Sequence, residues 1–204
     1  DFDPKQLDAW VDQYFGWIPK PATPIPQVTA QEPGRKKDQR YTVTSETAPL
    51  PAVAVTWLIP PASDSADGIP LQVAAALLSQ GNSSRLYQSL VYRHQVAQEV
   101  GADADGRVGP GLFTAYAILA SGHQPAEAAK LLREEIIWLA TQPIPAAELD
   151  KVKTQLITAQ LKQRQTAQGL AFALGQASLI DGSVERVNTD LDALQKVSEQ
   201  DVHR

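Results

Sequence analysis

The chain has 204 residues, no cysteine and a formal net charge of −5 at pH 7. This length is enough for one folded core and part of a second. The absence of cysteine excludes a disulfide framework, a thiolate metal site and a cysteine nucleophile. The acidic balance argues against nucleic-acid binding, which needs a basic face. No apolar run is long enough to span a bilayer, so no transmembrane segment is predicted.

The first predicted element is a helix that begins after Asp3. Asp3 can cap the free amides of the first turn, and Pro4 suits the first helical position. Phe2 and Leu7 occupy the two positions of a hydrophobic staple, which fixes the angle of an incoming segment. One apolar stripe follows at helical spacing, formed by Leu7, Trp10, Val11 and Tyr14. We therefore expect residues 1–15 to be the last helix of a preceding domain, and the chain to be cut from a longer protein.

Residues 16–40 are predicted to be a proline-rich linker. Five prolines between Pro19 and Pro33 favour extended backbone and exclude a helix. The basic end of this segment could be a polyanion patch, formed by Arg35, Lys36, Lys37 and Arg40. A solvated linker is the favoured interpretation, because no aromatic platform or second basic stripe accompanies these charges.

Residues 41–204 are predicted to form one α+β domain. Four strands are expected in two pairs, in the segments RYTVTSE, AVAVTWLIP, AQEVGAD and GLFTAYAILA. Two helices lie between the pairs and three follow them. Strands paired without an intervening helix predict a mostly antiparallel sheet with helices packed on one face.

The helices after the second strand pair include a long one that opens after Pro145, with Gly169 and Gly175 as kinks or close packing points. A short helix is expected over residues 184–195. A further helix begins at the tail, where Ser198 is the predicted cap and Asp201 stands three residues on.

No catalytic cluster is evident from residue chemistry alone. A zincin helix needs two histidines four residues apart with a glutamate between them, and the histidines are His94, His123 and His203. His123 and Glu127 are four apart, but Pro125 places His123 outside the helix. The segment GNSSR is better explained by helix capping than by a nucleophile elbow, and GADADGRV by a turn than by a phosphate loop.

Three segments in order carry a resemblance: LLSQGNSSRLYQSLV, GPGLFTAYAILASG and PIPAAELDKVKTQL. Together they resemble the pitrilysin/insulinase family of zinc metallopeptidases. The opening DFDPKQLDAWVDQYFGWIPKP is similar to the family's segment that lies late in its first domain, before the linker. The resemblance covers nearly the whole chain.

This resemblance implies one domain of a duplicated α+β clamshell that closes around an extended peptide. In that family one domain carries the inverted zinc motif H-x-x-E-H, and its pseudo-symmetric mate is metal-free. The present sequence has no H-x-x-E-H, so it resembles the mate. The implied partners are a peptide substrate and a catalytic domain or subunit. If the catalytic domain is not in the same chain, a homo- or heterodimer is implied. Zinc and the general-base glutamate are expected in that catalytic domain or subunit. No catalytic residue or cofactor is expected in this fragment. Zinc-activated water would attack the peptide bond.

The family resemblance also implies that an arginine and a tyrosine of the mate reach the substrate near the scissile carbonyl. The candidates are Arg107 and Tyr116, donors that could stabilise an oxyanion. The competing interpretation is a loop arginine and a half-buried strand tyrosine. Gln98 stands where the family often has an aromatic residue. A structural role as cap, tether and core is expected for the motif Ser84, Arg85 and Leu86.

Two other functions remain open at this point. Some relatives have lost the metal motif in every copy and serve as scaffolds in assemblies, and a peptide-binding module could capture extended segments on a sheet edge. Bacterial relatives of this size are often periplasmic or envelope proteins, whereas the residues themselves assign no compartment.

Overall fold

The computed structural model describes residues 2–24, 26, 29–30, 36–62 and 66–204. The chain divides into two compact units, residues 1–44 and 45–204. The first unit contains α1 (Pro4–Phe15), which begins as predicted: the Asp3 carboxylate accepts a hydrogen bond of 2.9 Å from the amide of Lys5. No residue of α1 is buried, so its apolar stripe is exposed. Part of the predicted linker, including Pro33 and Arg35, lies outside the described residues.

A three-stranded antiparallel sheet organises the second unit. Its strands are β1 (Ala52–Ile59), β2 (Ala97–Asp105) and β3 (Gly111–Leu119), with β3 in the middle. Every second residue of β3 is buried from Gly111 onward, and the residues between them are half-buried. This alternation shows that one face of the sheet packs on a core.

Helices cover that face. The helical elements of this unit are α2 (Gly68–Ser79), a π-helical segment (Tyr87–Arg93), α3 (Pro125–Thr141), α4 (Ala146–Gln163), α5 (Ala167–Leu179), α6 (Arg186–Lys196) and α7 (Glu199–His203). Helix α2 packs on β2, while α3 packs on β1 and β3. Fully buried side chains from these elements form one core, including Val73, Leu78, Leu90, Leu119 and Leu132. The predicted α+β class, with an antiparallel sheet and helices on one face, is confirmed. Among the described residues, no helix is both long and apolar enough to cross a membrane.

The strand predicted in RYTVTSE is wrong. Within the described stretch 36–62, the strand β1 is the one regular element. Tyr41 and Val43 are 78% and 89% exposed, and they pair with no strand that the structure describes. The residue types have high strand propensity, but a strand is stable only when a neighbour accepts its hydrogen bonds.

The long helix after Pro145 is two helices. It breaks between Gln163 and Ala167, where the hydroxyl of Thr166 accepts a hydrogen bond of 3.0 Å from the amide of Gly169 and caps α5. A Cβ atom at Gly169 would overlap the carbonyl oxygen of Gln163, so this glycine is a close packing point. The predicted tail helix is confirmed as α7, whose capping box joins Ser198 and Asp201.

Candidate functional site

The face of the sheet opposite the helices carries the candidate residues. Alternation along the paired strands places eight residues of β2 and β3 on it: Glu99, Gly101, Asp103, Asp105, Leu112, Thr114, Tyr116 and Ile118. We call this surface the open face. It combines carboxylates on the outer strand β2 with half-buried apolar and hydroxyl groups on the central strand β3.

Tyr116 lies at the middle of the open face, directly opposite Gly101. Its hydroxyl donates a hydrogen bond of 3.0 Å to Oε1 of Glu99. This bond is the main reason why the pKa of Tyr116 is raised above its ordinary value, and partial burial and the charge of Glu99 act in the same direction. The phenol is therefore held in one orientation against the outer strand.

Arg107 lies in the turn between β2 and β3. Its guanidinium donates from Nε and Nη2 to Oδ2 of Asp105, at 2.8 and 2.5 Å, and both side chains are well exposed. The carbonyl oxygen of Arg107 accepts a hydrogen bond of 2.9 Å from the amide of Ala62, which ties the turn to the segment after β1. The turn thus folds the arginine back onto the end of β2.

The structure does not bring the two predicted site residues together. Asp105, the partner of Arg107, pairs with Leu112, four residues from Tyr116 along β3. At about 3.3 Å per residue this separates the two positions by about 13 Å. The open face thus holds two separate hydrogen-bonded pairs, Tyr116–Glu99 and Arg107–Asp105, and exposed Asp103 lies between them.

The motif Ser84–Arg85–Leu86 lies on the helical side of the sheet. Arg85 makes a two-pronged ion pair with Glu148 of α4, at 3.0 and 3.1 Å, and its guanidinium carbon lies 5.3 Å from the ring centroid of Trp138 in α3. Leu86 is fully buried in the core. The hydroxyl of Ser84 is buried without a hydrogen-bond partner among the described residues, so it supplies no capping bond there.

Sequence reasoning missed the partners of Tyr116. Glu99 and Gly101 are adjacent to the phenol only because β2 and β3 pair in this register, after an irregularity between Ala97 and Glu99. One signal was available: a glycine inside a strand pattern often marks a close approach of another group.

The residues that the structure describes do not fit a zinc site. In the parts that the structure describes, no three histidine, aspartate or glutamate side chains are grouped as metal ligands. Nδ1 of His123 lies 3.3 Å from Oε2 of Glu127, a pair that provides two donors where a structural or catalytic zinc needs at least three from the protein.

A cavity of about 550 Å³ lies on the helical side, between α2, α4, α5 and α6. Arg186 spans one wall: it pairs with Asp190 at 3.2 Å and donates to the carbonyl oxygen of Ala62 at 3.1 Å. Burial raises the pKa of the neighbouring Asp181, Arg186 opposes this, and Asp190 adds to it. These contacts connect α6 to the end of β1.

Comparison with known proteins identifies the family. The family model for the peptidase M16 inactive domain matches residues 1–156. This class of domain is related to peptidases and is itself inactive. The chain belongs to the peptidase M16 inactive-domain family. A search of curated proteins found no relative similar enough to match.

Solved structures agree in fold. A protease from Helicobacter pylori superposes with a TM-score of 0.87 at 19% identity; the match covers 100% of this chain and 49% of that one, so this chain spans about half its length. The inactive peptidase domain of a protein assigned as a zinc protease, from Bordetella parapertussis, has 26% identity and a TM-score of 0.68 over 75% of this chain and 82% of that one. A protein assigned as a zinc protease from Bordetella pertussis has 27% identity and a TM-score of 0.67, with 75% and 83% covered.

Proposed function

We propose that this chain is the non-catalytic half of a zinc-dependent peptidase. In this proposal it closes a substrate chamber over a peptide, and a domain with H-x-x-E-H completes the enzyme. The proposal rests on one observation: the chain belongs to an inactive peptidase-domain family, and its sequence contains no H-x-x-E-H motif. Similarity to the Bordetella parapertussis domain, which is described as inactive, supports it.

The open face is the wall of the chamber in this account. Support comes from its composition, because hydrogen-bonding side chains alternate there with half-buried apolar groups that can cover an extended peptide. Tyr116 and Arg107 are the proposed substrate contacts, at two points about 13 Å apart along the sheet. An extended peptide of about four residues spans that distance.

The domain boundaries fit the same proposal. Residues 1–15 would be the last helix of a preceding domain, residues 16–40 a linker, and residues 41–204 the metal-free domain. The apolar stripe of α1 supports this division, because all of its members are exposed and an amphipathic helix of this kind is stable when a second surface covers the stripe.

Zinc would be bound by the other domain, in the same chain or in a partner subunit. The chemistry supplied there would be an activated water for hydrolysis of the peptide bond. The contribution of this chain would be to exclude bulk solvent and to orient the peptide backbone.

Sequencing the complete gene and its neighbours tests the arrangement. An H-x-x-E-H motif upstream in the same reading frame would support a self-sufficient two-domain peptidase. The motif in an adjacent gene would support a heterodimer. If the motif is absent from the complete gene and from its neighbours, and the protein assembles with other subunits, the peptidase proposal is contradicted. A non-catalytic scaffold of the same fold is then favoured.

A further inference from the structure

The hydroxyl of Tyr116 has a defined direction. A phenol has one proton to donate, and a carboxylate can only accept. The bond of 3.0 Å to Glu99 therefore uses the single proton of Tyr116. The lone pairs of the phenol oxygen remain, and they can accept a hydrogen bond from a third group.

Gly101 provides the space for this arrangement. A Cβ atom at this position would lie 2.5 Å from Cζ of Tyr116 and 2.7 Å from its hydroxyl oxygen. The backbone of Gly101 does not have a positive φ angle, so the conformation itself does not require glycine. The reason for glycine here is the ring of Tyr116, which lies directly over the strand.

We propose that Glu99 and Gly101 are positioning residues for Tyr116, because they orient its hydroxyl toward Glu99. The phenol oxygen then accepts a hydrogen bond from a backbone N–H of a peptide on the open face. The peptide in this statement rests on the proposed function, whereas the positioning rests on the contacts between β2 and β3. An acceptor role differs from the oxyanion donor expected from the sequence.

Arg107 complements this acceptor. A guanidinium has five N–H donors, and Asp105 accepts from Nε and Nη2. Nη1 has no hydrogen bond to any residue that the structure describes. The open face therefore offers a donor for a peptide carbonyl at Arg107 and an acceptor for a peptide N–H at Tyr116, and an extended backbone presents both groups along its length.

Titration of the 204-residue chain tests the positioning. With tyrosines labelled at ¹³Cζ, NMR follows each phenol against pH, and Y116F identifies the signal of Tyr116. Because Glu99 favours the protonated phenol, we expect Glu99→Gln to lower the titration midpoint of Tyr116. Asp103→Asn is the matched control: it removes the same charge from the same face of the same strand, without a bond to Tyr116, and we expect no shift.

A second pair of variants tests whether Gly101 provides the space for the ring of Tyr116. Gly101→Ala should displace the ring, break the bond to Glu99 and lower the midpoint as Glu99→Gln does. Gly109→Ala, whose Cβ would meet no atom within 4 Å, should leave it unchanged. If Gly101→Ala is too unstable to titrate, its urea midpoint should fall less in a Tyr116→Ala background, because the clash is then absent.

Three results would overturn the positioning. They are an unchanged midpoint in Glu99→Gln, an equal shift in Asp103→Asn, or a loss of stability in Gly101→Ala that does not depend on Tyr116. Each would show that the contacts between β2 and β3 do not determine how the phenol is held.

The acceptor role is tested in the peptidase reconstituted with its H-x-x-E-H domain. Methylating the backbone nitrogen that faces Tyr116 should raise KM for the wild type and have no such effect in Y116F. If no methylated position distinguishes the two proteins, the acceptor role is wrong although the peptidase stands. If reconstitution produces no peptide cleavage, the proposed function and the substrate role of Tyr116 both fail, while the titration still judges Glu99 and Gly101.

Discussion

Ser84 is 2% exposed. Its hydroxyl has no hydrogen-bond partner among the residues that the structure describes. A buried polar group without a hydrogen bond costs about 1–3 kcal/mol. We therefore expect Ser84→Ala to leave the free energy of unfolding unchanged or to raise it by about 1 kcal/mol, as measured by urea denaturation.

Ser79→Ala is the control for that substitution. The hydroxyl of Ser79 lies 3.1 Å from the carbonyl oxygens of Ala75 and Ala102, so it links α2 to β2. Its removal should lower the free energy of unfolding by about 1 kcal/mol. If Ser84→Ala proved as destabilising as Ser79→Ala, the Ser84 hydroxyl would have to be hydrogen-bonded, for example by a buried water.

Asp181 makes the stability of the domain depend on pH. Burial raises the pKa of this carboxyl above 3.8 despite the opposing charge of Arg186 at 3.9 Å. The folded protein thus binds the proton more tightly than the unfolded chain does. The stabilising contribution is fully present below the ordinary pKa and is lost as pH rises through the raised native pKa.

Asp181→Asn should therefore be neutral or stabilising at pH 7, and its advantage over the wild type should disappear toward pH 4. Urea denaturation across that range measures the difference. Asp192→Asn, an exposed change on α6, should show no comparable trend. A clear loss of stability in Asp181→Asn at pH 7 would mean that the ion pair with Arg186 outweighs the cost of burial.

At the scale of secondary-structure elements, Arg85 joins two helices, α3 and α4. Its side chain is 10% exposed, it pairs with Glu148 at the start of α4, and it lies against Trp138 of α3. Removing one member of such a pair leaves the other charge partly desolvated. We expect Glu148→Gln to lower the free energy of unfolding by about 2–3 kcal/mol, less than for a fully buried pair because Glu148 is 21% exposed.

Glu134→Gln is the matched control, since Lys130 and Glu134 are 3.7 Å apart with side chains that are 76% and 55% exposed. It should change stability by less than about 0.5 kcal/mol. Equal effects from Glu148→Gln and Glu134→Gln would show that Arg85 does not hold α3 and α4 together.

Local sequence signals located most elements where they are in the structure. Asp3 and Ser198 cap helices as their positions indicated, and alternation along GLFTAYAILA gave a strand that is buried on one face. These features depend on neighbours within a few residues.

One error arose because the outcome depends on distant parts of the chain, and the other arose from a local competition for hydrogen bonds. The segment RYTVTSE (residues 40–46) has strand composition, but no strand pairs with it among the described residues. The break between α4 and α5 depends on a local competition, because the Thr166 hydroxyl binds the amide of Gly169 instead of leaving the helix continuous.

At the scale of the whole molecule, the candidate site shows the same limit. Arg107 and Tyr116 were recognisable as residue types, in a predicted hairpin turn and on the strand after it, but their separation depends on strand register. The pairing of Tyr116 with Gly101, and its hydrogen bond to Glu99, depend on the register between β2 and β3, which no residue spacing indicates. The absence of H-x-x-E-H, in contrast, was readable directly from the sequence.

We propose that this chain completes a peptidase whose zinc lies elsewhere. The most direct measurement is hydrolysis of a fluorogenic peptide by this chain, by its H-x-x-E-H domain, and by the two together, with a variant of that domain lacking the motif glutamate as the control. The expected result is cleavage by the combination, little by either part alone, and none with the variant. Full activity of the H-x-x-E-H domain without this chain would contradict the account.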